Sequence, residues 1–84
     1  MYRYADHKHV TFTDEGQRTL LRTRDLARRL LKASGVVAMT KLMPSGDSWT
    51  AMAYVDRLVE LGDLREIAVA AGERIFAAAG SLLE

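Results

Sequence analysis

With 84 residues, no cysteine, 49% hydrophobic and 27% charged residues, the chain is long enough for one core and excludes a disulfide framework, thiolate metal sites and a cysteine nucleophile. No apolar run approaches the roughly 20 residues needed to span a bilayer, and the opening Met-Tyr-Arg-Tyr-Ala-Asp-His lacks the apolar segment of a secretory leader, so a cytoplasmic location is expected. The net charge of +1 is unevenly divided: eight cations and four acids over residues 1–35, four cations and seven acids over the rest, so a polyanion is attracted to the first part and discouraged by the second.

Residues 1–12 mix aromatic and β-branched side chains without a helical period and read as a short strand or a loosely held arm. Thr13 offers a hydroxyl cap to a helix whose first turn carries Asp14 and Glu15, the charge sign that a helix N-terminus favours; Gly35 ends it. Leu20, Leu26, Ala27, Leu30 and Leu31 share one face of this helix, and Arg18, Arg22, Asp25, Arg29 and Lys32 the other. Val36-Val37-Ala38 suits a single short strand, and residues 39–43 form one or two helical turns stopped by Pro44 and Ser45-Gly46.

A second long helix, capped by Asp47 or Ser48, reaches Leu61 and closes at Gly62. Its wheel places Ala51, Tyr54, Val55, Leu58, Val59 and Leu61 on one arc, with Trp49, Thr50, Ala53, Asp56, Arg57 and Glu60 opposite. Residues 64–69 then pair with 74–78 through Ala-Ala-Gly-Glu as a β-hairpin whose imperfect alternation calls for a bulge, and 80–84 form a tail. Leu20, Ala27, Leu30, Tyr54, Leu58, Leu61 and Leu64 are the expected shared core.

The α+β order of helix, short strand, short helix, turn, helix and hairpin resembles the winged helix-turn-helix superfamily over roughly residues 14–78. The resemblance is carried by Gly35-Val-Val, by Met39 to Leu42 ahead of Pro-Ser-Gly-Asp, and above all by Tyr54-Val-Asp-Arg-Leu-Val-Glu-Leu-Gly-Asp-Leu-Arg. It implies three helices with a small antiparallel sheet, a wing at residues 64–78, and double-stranded DNA as the ligand of a small transcriptional regulator acting as a homodimer. The residues so implied are Lys41, Ser48, Thr50, Ala53, Arg57, Arg65 and Arg74. Thr50, Arg57 and Ser48 would read base edges, and Lys41, Arg65 and Arg74 would meet phosphates.

Charge on the same helix departs from that pattern. Asp56 and Glu60 flank Arg57, and the wing tip Ala-Ala-Gly-Glu has no cation. Trp49 falls among the polar positions, so a protein-interaction module anchored by Trp49 and Met52 is the alternative. Catalysis has no support, because no nucleophile stands beside a base and no glycine-rich loop cradles a phosphate. His7-Lys8-His9 beside Asp6 falls short of a zinc ligand set, so no cofactor is expected.

Overall fold

The longest helix begins where a hydroxyl meets an unpaired amide. In a computed structural model that describes residues 1–43 and 49–83, α2 (Asp14–Ser34) is capped by Thr13, whose Oγ1 accepts from the Gly16 amide, and it ends on Gly35 in the left-handed conformation. Two α-helices flank it in sequence: α1 (Tyr4–His7), and α3 (Trp49–Glu60), which closes at the positive-φ Gly62. A 3₁₀ turn at Met39–Leu42 takes the place of the short middle helix. The expected caps Asp47 and Ser48 and the turn at Pro44 lie outside the described residues.

The sheet has the strand order β1-β3-β2, with β1 at Val36–Ala38, β2 at Leu64–Ala70 and β3 at Glu73–Ala78, antiparallel throughout. The hairpin turns through Ala71 and Gly72, both at positive φ as a two-residue primed turn requires, and the expected bulge falls between Glu66 and Ala68. This is an α+β fold of three helices and a small antiparallel sheet with a winged-helix-like order. No helix of the described residues is long and apolar enough to cross a membrane.

One apolar cluster joins the layers: Leu20, Ala27 and Leu31 of α2, Val37 and Phe76 of the sheet, Tyr54, Val55 and Leu58 of α3, and Leu64. Of the expected core, Leu30 lies at its margin and Leu61 is half exposed, since it follows the last turn of α3 where the chain swings toward Gly62. Asp63, buried at that corner, pairs with Arg24 of α2 at 3.2 Å.

Both ends of the chain differ from expectation. Residues 1–12 are neither strand nor loose arm. They form α1 and a 3₁₀ turn, Lys8–Phe12, laid across α3, with Thr11 fully buried and its hydroxyl donating to the Lys8 carbonyl. Local β preference yields here to tertiary contact. The expected tail is a 3₁₀ turn, Gly80–Leu83, that carries Leu82 into the core.

Gly16 fixes the approach of the N-terminal segment to α2. A Cβ there would overlap the Val10 carbonyl oxygen, and the neighbouring Thr13 hydroxyl leaves no room to shift. Alanine is the better helix former by about 1 kcal/mol. Gly16→Ala is nevertheless expected to destabilise the protein, by roughly 1–3 kcal/mol of overpacking in chemical denaturation; an unchanged or raised midpoint would show that Val10 does not sit there.

Candidate functional site

Asp56 and Glu60 stand one turn apart on α3, and each carboxylate collects several donors. Tyr2 Oη donates to Asp56 Oδ2 at 2.5 Å while Arg74 Nη2 reaches Asp56 Oδ1 at 2.8 Å. Arg74 also forks onto Glu66 at 3.1 and 2.9 Å, tying the wing to the helix. Glu60 accepts from Tyr4 Oη at 2.8 Å, Lys8 Nζ at 2.8 Å and Arg57 Nη1 at 2.5 Å.

Aromatic contacts complete the cover. The Arg57 guanidinium lies 4.8 Å from the centre of the Phe12 ring. His7 stacks on Tyr2 at 5.7 Å and meets Trp49 edge-on at 5.4 Å. Residues 2–12 therefore lie against the outward face of α3, half-burying Asp56 and Arg57 and leaving Trp49, Thr50 and Glu60 exposed. Although Arg57 is enclosed, its Nε is buried with no hydrogen-bond acceptor among the described residues.

These contacts displace the acid–base equilibria of the groups that make them. Partial burial, reinforced by the hydrogen bond to Glu60, pushes Tyr4 up to about 12, and the corresponding causes at Asp56 raise Tyr2 as well. Donation from Lys8, Tyr4 and Arg57 brings Glu60 down to about 2. Burial acts against the charge of Arg74, but its bonds to Glu66 and Asp56 outweigh that and hold the guanidinium protonated above its usual range.

Of the residues expected to meet DNA, the structure brings Arg57 and Arg74 together at the Asp56 and Glu60 carboxylates. Ala53 is completely buried, which corrects its placement on an outward face: α3 meets the N-terminal segment as well as the core, so its buried surface is wider than a single helical arc. Arg57 and Arg74 are held by Glu60, Asp56 and Glu66. Arg65 pairs across the sheet with Ala77, one step out of register with the inward Phe76, and so stands on the face away from the core. Lys41 is exposed on the 3₁₀ turn, Thr50 is exposed on the first turn of α3, and Ser48 lies outside the described residues.

The two anchors of the alternative separate. Trp49 is 47% exposed, whereas Met52 packs against the core. The residues missed in the sequence are Tyr2, Tyr4, His7, Lys8 and Phe12. Their signal was a run of hydroxyl, ammonium and aromatic groups facing an unmatched Asp56 and Glu60. No family model matches the chain, and neither a curated protein nor a solved structure does.

The lowered value of Glu60 stabilises the fold above the ordinary carboxylate value of 4.5, and that contribution is lost as pH falls toward about 2. The raised value of Tyr4 works at the other end, its contribution being present below 10.0 and lost as pH rises toward about 12. Side-chain NMR titration should follow both groups, and Glu60→Gln should abolish the acid step. A Glu60 that titrates near 4.5 in the wild-type protein would contradict the donor set.

Proposed function

We propose that this chain is a protein-interaction module built on a winged-helix scaffold, rather than a DNA reader that uses α3 as a recognition helix. The observation that carries this reading is that the chain's own residues 2–12 pack on the outward face of α3 and engage Asp56, Arg57 and Glu60 there. A recognition helix needs that face bare so that side chains reach base edges. Its charges would oppose a phosphate backbone besides, because Asp56, Glu60 and Glu66 already neutralise Arg57 and Arg74.

Winged-helix architecture is supported by the order of elements and by the hairpin following α3, while the chemistry of the surface favours a protein. Trp49 and Phe12 remain 47% and 53% exposed, each beside a polar neighbour, His7 or Arg57. Rigid aromatic groups next to arginine are the usual energetic centres of protein interfaces.

Titration with duplex DNA at low salt separates the two classes. The module reading predicts no perturbation of the amides of residues 49–57, with any weak association confined to the exposed cations of α2, Arg18, Arg22 and Arg29, and removed by moderate salt. Saturable duplex binding that shifts Thr50 and Arg57, and that Arg57→Ala weakens by about 1–3 kcal/mol, would overturn it.

A further inference from the structure

The N-terminal segment is attached to the body in two unlike ways. Its root is built in: Thr11 is fully buried, its carbonyl accepts from Gln17, and the Val10 carbonyl rests on Gly16, where no side chain fits. Its outer part differs. No residue of α1 is buried, and the segment meets α3 through two phenol hydroxyls, one ammonium and one imidazole. Exchanging such polar, half-exposed contacts for equivalent ones costs little, whereas extracting the root would open the core.

We propose that residues 2–9 are a displaceable strap, and that the face of α3 beneath them is a docking site for a partner segment bearing tyrosine hydroxyls and a lysine ammonium. The strap shows what that face accepts. Asp56 and Glu60, one turn apart, take a phenol each and share between them Lys8, Arg57 and Arg74; Trp49 supplies a ring for a T-shaped contact. Held on the same chain, the strap acts at a high effective concentration and closes the site until a better-matched segment arrives. This inference rests on reading the chain as a protein-interaction module.

The test uses the full chain carrying Tyr2→Phe, Tyr4→Phe and Lys8→Met, which removes the donors of the strap and leaves its root intact. A synthetic peptide of residues 2–10 is the probe, followed by Trp49 fluorescence and the side-chain signals of Asp56 and Glu60. The opened chain should bind the peptide at least about tenfold more tightly than wild type does. Asp56→Asn with Glu60→Gln in the opened background should abolish that binding. Should the triple variant lose its fold, Tyr4→Phe with Lys8→Met serves the same purpose, because the bonds that both side chains make to Glu60 are exposed.

A folded, opened chain that does not bind the peptide overturns the docking site, while the module reading, tested by duplex titration of the wild type, stands. Equal binding by wild type and opened chain shows that the segment does not occlude the face, and overturns the strap. Salt-dependent duplex binding at α3 by the opened chain, in place of peptide binding, overturns the docking site and the module reading together.

Discussion

Two carboxylates one helical turn apart govern the arrangement of this small protein. Asp56 and Glu60 project from the side of α3 that does not pack on the core, and together they draw in Tyr2, Tyr4 and Lys8 from the N-terminal segment, Arg57 from their own helix and Arg74 from the wing. Three separate parts of the chain meet at that pair. Each contact is partly exposed and individually worth little, but they share acceptors and hold residues 2–8 against the helix. Electrostatics at the surface thus decides which face of α3 is available to anything else.

The apolar side of α3 has a different role. Tyr54, Val55 and Leu58 pack into the cluster formed with α2 and with Phe76 and Val37 of the sheet, so the helix is fixed by burial before its polar face is considered. The wing is bound to it by Arg74, whose guanidinium lies over the Phe76 ring while bridging Asp56 and Glu66. A side chain that would be free to meet phosphate in a DNA-reading wing is here part of the joint between hairpin and helix. That single placement removes one of the four cations on which a DNA contact surface would depend, and Glu60 removes a second.

What was legible in the sequence is what local chemistry determines. Thr13 and Gly35 mark the ends of α2, Gly62 marks the end of α3, and the broken alternation of residues 64–69 announces a bulge that the register confirms at Glu66 and Ala68. What was not legible depends on contacts between residues more than fifty apart in sequence: Tyr2 with Asp56, Tyr4 with Glu60 and Lys8 with Glu60. No periodicity within residues 1–12 encodes them. Ala53 was misplaced for the same reason, because a helical wheel has one buried arc and α3 is covered on two sides. Leu61 failed in the opposite sense, since the wheel extends through a position at which the helix has already turned away from the core.

The most direct test of this account is the solution proximity of the N-terminal segment and α3, measured as nuclear Overhauser contacts at neutral pH. Contacts are expected from the Tyr2 ring to Asp56, from the Phe12 ring to Arg57, and between His7 and Trp49. Random-coil shifts for residues 2–9, with none of these contacts and with α3 otherwise intact, would contradict it.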